Sequence, residues 1–186
     1  MSLKQIIRMK KIALTLASVL VLSCGEKKSN QETVTVGHGE VAHKIAYSGA
    51  KRDAEFQNAE VAQVYDDYNA LKIALVNTDE EVAQTIAQKL VISIEAVKVE
   101  ASLVKAVEAI ANSENINEQR AQFENLTAGI KILVEENITS GTLYYQYCPM
   151  AFDGKGAYWI ANEKKVFNPY FGDVMLNCGT VDSKIE

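Results

Sequence analysis

Between residues 54 and 137 the chain has no proline and one glycine, Gly129, and its apolar residues recur at spacings of three and four. That period predicts amphipathic helices. The first runs from about Ala54 to Leu75, with Val61, Val64, Tyr65, Tyr68, Leu71 and Leu75 on one face. It stops at Asn77-Thr78. Thr78 followed by Glu81 fits a capping box and predicts a second helix carrying Val82, Ile86, Leu90, Ile94 and Val97. Leu103, Val107 and Ile110 mark a third stretch, either fused to the second or broken from it near Lys98. After the polar run 112–115, Asn115 with Glu118 predicts another cap, and the fourth stripe is Ile116, Phe123, Leu126, Ile130 and Leu133. Short connections favour antiparallel neighbours. No charge pair or histidine is expected on these stripes, and Tyr65 and Tyr68 read as tyrosines at the edge of the core.

The pattern changes at Ser140-Gly141. Residues 144–171 hold nine of the 14 aromatic residues and both prolines. Thr142 to Tyr147 and Ala157 to Ala161 predict two short strands joined by the turn Asp153-Gly154-Lys155-Gly156. Asn168 to Gly172 reads as a turn, and Asp173 to Leu176 as a short helical piece. The expected fold is mainly α: an antiparallel bundle of three or four helices with a small, aromatic-rich, β-containing C-terminal subdomain.

The N-terminal pattern is of another kind. Lys4, Arg8, Lys10 and Lys11 precede an apolar run, Ile12 to Leu22, that ends at Ser23-Cys24-Gly25. The run is too short for a membrane-spanning helix, which needs about 20 residues, and it has the order of an export signal. A small residue before a cysteine at that place resembles the lipobox of bacterial lipoproteins, where the cysteine is acylated and the preceding segment removed. The expected organisation is a signal over 1–23, a lipidated spacer over 24–53, and one domain over 54–180 with a Cys/Met aromatic segment at 140–180. The lipid membrane is then a partner through acylated Cys24, and the expected location is the bacterial envelope, lipid-anchored to the outer membrane and facing the periplasm.

Charge narrows the partners. The chain has 19 basic and 24 acidic side chains. Removing a leader with four positive charges and no negative ones leaves 15 basic and 24 acidic, a formal charge of −9. Such a body does not attract nucleic acid, whose binding needs excess positive charge.

Beyond Cys24, two cysteines and two methionines remain, in Cys148-Pro149-Met150 and Met175-Leu176-Asn177-Cys178. Thiolate plus thioether is a ligand set that selects Cu(I) and similar soft ions, so Cys148, Met150, Met175 and Cys178 are candidate metal ligands. An exported protein also tends to join its cysteines. A Cys148–Cys178 disulfide closes about 30 residues, worth roughly 3–4 kcal/mol by chain entropy, with the methionines as gap fillers. A free buried thiol pair is the third reading.

Four pieces carry a family resemblance: Tyr144-Tyr145-Gln146-Tyr147-Cys148-Pro149-Met150-Ala151, Gly156-Ala157-Tyr158-Trp159, Asn168-Pro169-Tyr170-Phe171-Gly172-Asp173, and Met175-Leu176-Asn177-Cys178-Gly179. Together with the helical pattern they resemble an uncharacterised helical domain of Bacteroidetes-type exported lipoproteins, also appended to CusB-like periplasmic adaptor subunits of copper/silver efflux pumps. The resemblance covers roughly residues 54–180 and implies an efflux-associated or metal-handling context; the sulfur ligand set is what points to Cu(I) or Ag(I). Tyr147-Cys148-Pro149-Met150 also resembles the short metal-binding motif of efflux proteins. That motif continues with His-Pro, where this chain has Ala151-Phe152.

The remaining inventory argues against catalysis. His38 and His43 are the only histidines and fall in the spacer, which leaves no base for Ser-His-Asp or Cys-His chemistry in the domain. A Glu-x-x-His di-iron pattern is missing. Gly154-Lys155-Gly156 lacks the spacing of a phosphate loop. Glu80, Glu81, Glu135 and Glu136 read as solvated helix faces, and Asp153 and Asp173 as turn caps. The expected function is therefore non-catalytic: soft-metal binding or assistance to efflux, or, alternatively, an envelope interaction module locked by the Cys148–Cys178 bridge.

Overall fold

The computed structural model describes residues 46–186. The export signal, Cys24, His38 and His43 lie outside the described residues. Four helices follow one another: α1 (Ala59–Val76), α2 (Glu80–Ile94), α3 (Ala101–Ala111) and α4 (Ile116–Asn137). Each packs on the next, and α1 closes on α4. Side chains set the starts of α1, α2 and α4. Asn58 accepts the Val61 N–H, and Asn115 accepts the N–H groups of Asn117 and Glu118, filling donors that a helix start leaves open.

The first helix begins five residues later than its apolar pattern suggests. Glu55–Phe56 is instead strand β1, paired antiparallel with β2 (Ile138–Ser140). This ribbon ties the entry of α1 to the exit of α4. The second helix is capped by Asp79, which accepts the Val82 N–H at 3.0 Å, and not by Thr78. Thr78 has φ +56°, and it ends α1: its N–H reaches Leu75 O, and the Asp79 N–H reaches Ala74 O. Those two bonds make a Schellman motif, which moves the cap one residue on. Val82 is 44% exposed, while Ala83, Ala87, Leu90 and Ile94 are buried. Leu90 and Ile94 lie on the expected stripe, but Ala83 and Ala87 carry the first half of the contact face, so a stripe counted from large residues alone is one position off at its start. The chain leaves helix at Ile94 and re-enters at Ala101, giving four helices and not three. Gly129 on α4 marks a close approach to α3, for a Cβ there would lie 2.5 Å from Leu103 Cδ1.

The C-terminal subdomain is a three-stranded antiparallel sheet ordered β4-β3-β5, with β3 (Leu143–Cys148) in the centre. β4 (Ala157–Ala161) was expected. β5 (Thr180–Ile185) extends past the expected end at 180. The four-residue helical turn α5 (Ala151–Gly154) links β3 to β4, with Phe152 and Asp153 at positive φ. The sheet meets the bundle through rings. Tyr68 stacks on Phe123 with centroids 5.1 Å apart; Phe123 meets Tyr170, and Tyr170 meets Trp159 edge-on.

Tyr65 and Tyr68 sit inside the core, fully buried, rather than at its edge. Each hydroxyl is satisfied there: Tyr65 donates to Asn162 Oδ1 at 2.7 Å, and Tyr68 bonds Thr127 Oγ1 and accepts the Ile160 N–H. Burial drives the pKa of both upward, so both are neutral hydrogen-bonding groups. The buried faces also contain charges that the apolar stripes did not suggest. Asp67, Lys72 and Arg120 are all buried. Asp67 is matched by Lys89 Nζ at 2.8 Å and by Ser93 Oγ at 2.6 Å, which satisfies its carboxylate.

Candidate functional site: a thiol pair beneath a clamped loop

The strand register brings the cysteines together. Tyr147 pairs with Ala157's neighbour Tyr158 on one side and with Thr180 on the other. Cys148 ends β3, and Cys178 stands two residues before β5. Gly179 makes the last step possible. It has φ +143°, and a Cβ there would lie 2.8 Å from Tyr147 O and 2.9 Å from the Trp159 ring. Only a residue without a Cβ lets the chain pass that close. The result is a Cys148 Sγ to Cys178 Sγ distance of 3.1 Å with both thiols free. Cys148 is fully buried and Cys178 half-buried. The hydrogen bond to Cys148, followed by burial, raises the pKa of the Cys178 thiol.

The methionines stand differently. Met175 is half-buried and closes the short 3-10 turn Gly172–Met175; its carbonyl accepts the Cys178 N–H at 3.0 Å. Met150 is 55% exposed, so it is a surface thioether and not a core gap filler. Among the described residues no group of three or more His, Cys, Asp or Glu side chains gathers. The two thiols are thus the strongest donors that the fold brings together.

Several residues that sequence reasoning passed over hold the thiol site. Gln146, two residues before Cys148 on β3, is fully buried and donates to the carbonyls of Glu163 and Lys164 at 2.8 and 3.3 Å. Asn168 donates to Cys178 O at 2.7 Å and accepts the N–H groups of Tyr170 and Phe171. Arg120 reaches across from α4 to Pro169 O at 2.8 Å and to Leu75 O and Thr78 Oγ1 at 3.1 Å. The loop 162–179, which carries Cys178, is pinned at several points by buried polar side chains. An Asn followed by Pro was the one visible signal, and it suggested only a turn.

A second buried cluster lies at the start of that loop. Lys72 is fully buried, and its ammonium donates to Glu163 Oε1 at 3.1 Å and to Tyr47 Oη at 2.8 Å. Desolvation lowers the Lys72 pKa, against the pull of Glu163. Tyr47 donates its own hydroxyl to Glu163. Burial, aided by that hydrogen bond and the nearby carboxylate, raises its pKa far above the ordinary phenol.

Residues 64–141 match a family model described as a protein of unknown function (DUF3347). A DUF3347 domain of unknown function therefore occupies nearly all of the four-helix bundle, and it ends ahead of β3 and both cysteines. Comparison with curated proteins and with solved structures found no match. Among the described residues no helix is long and apolar enough to cross a membrane.

Proposed function

We propose that this is a non-catalytic exported lipoprotein that holds a soft monovalent ion, Cu(I) or Ag(I), between Cys148 and Cys178 and serves heavy-metal efflux. The observation that supports the reading is the 3.1 Å approach of the two sulfurs. Two thiolates on one metal, each at about 2.3 Å, stand roughly 3.7–4.6 Å apart between tetrahedral and linear geometry. A small rotation of either side chain opens the pair to that span. Met175, next to Cys178, and Met150, at the surface, are the thioethers available to complete a sulfur shell. Cys24, acylated, anchors the protein to the periplasmic side of the envelope. Because both thiols must lose their protons, and the Cys178 proton is held more tightly than usual, affinity for the ion should rise with pH.

The same distance supports a second reading. A disulfide needs the sulfurs at about 2.05 Å, a movement of similar size in the other direction. The bridge would lock the loop 162–179 to β3, and the aromatic subdomain would then serve as a docking module of the envelope. Titration of the reduced protein with Cu(I) against a chromogenic chelator separates the two. The metal reading expects one Cu(I) per chain, loss of binding in Cys148→Ser, and a smaller loss when either methionine is replaced. A failure of the reduced protein to compete with the chelator would leave the interaction module.

A further inference from the structure

The segment 46–53, just ahead of the helical body, is held against it by side-chain bonds. Asn77 grips Tyr47 by its backbone, accepting its N–H at 2.9 Å and donating to its carbonyl at 2.8 Å. Ala50 donates its N–H to Glu163 Oε2 and accepts from Asn162 Nδ2 at 2.9 Å. Gly49, at φ +73°, lets the segment lie on α1, since a Cβ there would be 2.7 Å from Ile73 Cδ1. The Tyr47 ring stacks on Phe167 with centroids 4.2 Å apart, and its hydroxyl joins Lys72 and Glu163. Every one of these partners beyond α1 and its C-terminal Asn77 belongs to residues 162–167, the first part of the loop that carries Cys178. Phe167 is followed at once by Asn168, which holds the Cys178 carbonyl.

We infer that residues 46–53 form a strap that positions Cys178: docked, it fixes the loop 162–179 and keeps the thiol pair closed, and undocked, it frees Cys178. Tyr47 and Glu163 are positioning residues, acting on Cys178 through Phe167 and Asn168. The inference concerns the regulation of the same cysteine pair as the metal reading. Its test uses no metal, however, so either can fail without the other.

The test is the alkylation rate of each cysteine in the reduced, full-length protein. Pulses of N-ethylmaleimide are followed by peptide mass spectrometry, which scores Cys148 and Cys178 separately. Tyr47→Ala should speed Cys178 labelling by about tenfold or more, a local opening eased by about 1.4 kcal/mol, with Cys148 unchanged. Gly49→Val, which keeps the Tyr47, Glu163 and Phe167 side chains but strains the backbone at φ +73° and crowds Ile73, should undock the strap and move Cys178 in the same direction. If Tyr47→Ala accelerates both cysteines together, the protein has opened globally, and Gly49→Val decides. A Cys178 rate within about twofold of wild type in folded Gly49→Val would overturn the strap.

Discussion

Replacing Glu163 by Leu should destabilise the protein far more than replacing Lys72 by Met, although the two substitutions break the same ion pair. Lys72 and Glu163 are 3.1 Å apart, with side-chain exposures of 0% and 13%. At an effective dielectric of about 20 their attraction is on the order of 5 kcal/mol. The loss depends on which charge is left behind. In Lys72→Met the carboxylate keeps the Tyr47 hydroxyl and the Ala50 N–H and retains some contact with water. A smaller cost, about 1–2 kcal/mol, is expected, because the carboxylate left behind keeps those two hydrogen bonds and its partial exposure. In Glu163→Leu the ammonium stays fully buried with Tyr47 Oη as its remaining partner, and a loss of about 3–5 kcal/mol is expected. For a domain of this size that lowers the Tm by roughly 10–20 °C. The pH dependence has a definite sign. A lysine whose pKa is lowered in the folded state binds fewer protons there than in the unfolded state, between its folded pKa and its ordinary value. Stability therefore rises with pH through that window. In Glu163→Leu, without the carboxylate that raises the Lys72 pKa, the window widens downward and the deficit shrinks as pH increases. Urea unfolding of both variants at several pH values reads these quantities. Equal losses in the two variants, or a Glu163→Leu deficit that grows with pH, would refute the argument.

Three other outcomes are expected. Leu126→Ala and Ile130→Ala, each at a fully buried position of α4, should each cost about 2–5 kcal/mol in urea unfolding. Gly129→Ala should destabilise despite the gain of up to about 1 kcal/mol in helix propensity, because the new Cβ would overlap Leu103; pairing it with Leu103→Ala should relieve that overlap, which a double-mutant cycle measures. Cys24→Ser should abolish acylation and leave the protein unprocessed or released, as read by membrane fractionation.

The helices were legible because large apolar residues recur with the helical period, and the chain offers no proline to interrupt them. What escaped was set by small or long-range features. The first half of the α2 stripe is alanine, Ala83 and Ala87, which a search for bulky residues does not see. β1 and β5 have alternating or polar sequences on short edges, and their pairing partners lie far along the chain. Lys72 follows Tyr68 by four and precedes Leu75 by three, a spacing that fits the apolar stripe, but its charge kept it off a stripe traced through apolar residues. Its partners Tyr47 and Glu163 were not visible, because only the fold brings residues 25 and 91 positions away to one point. The pairing of Cys148 with Cys178 was anticipated as one of several alternatives. The reason for it, a glycine at position 179 that lets the chain cross Tyr147 and Trp159, depends on a backbone angle that composition does not reveal.

Under the proposed function, Cys148 and Cys178 together bind a soft ion through sulfur alone. X-ray absorption at the copper edge, on reduced protein loaded with one equivalent of Cu(I) and desalted, tests it most directly. The expected result is a first shell of two or three sulfurs at about 2.3 Å, the length of a metal–thiolate bond, lost in Cys148→Ser. Copper held by nitrogen or oxygen, or no copper retained after desalting, would contradict it.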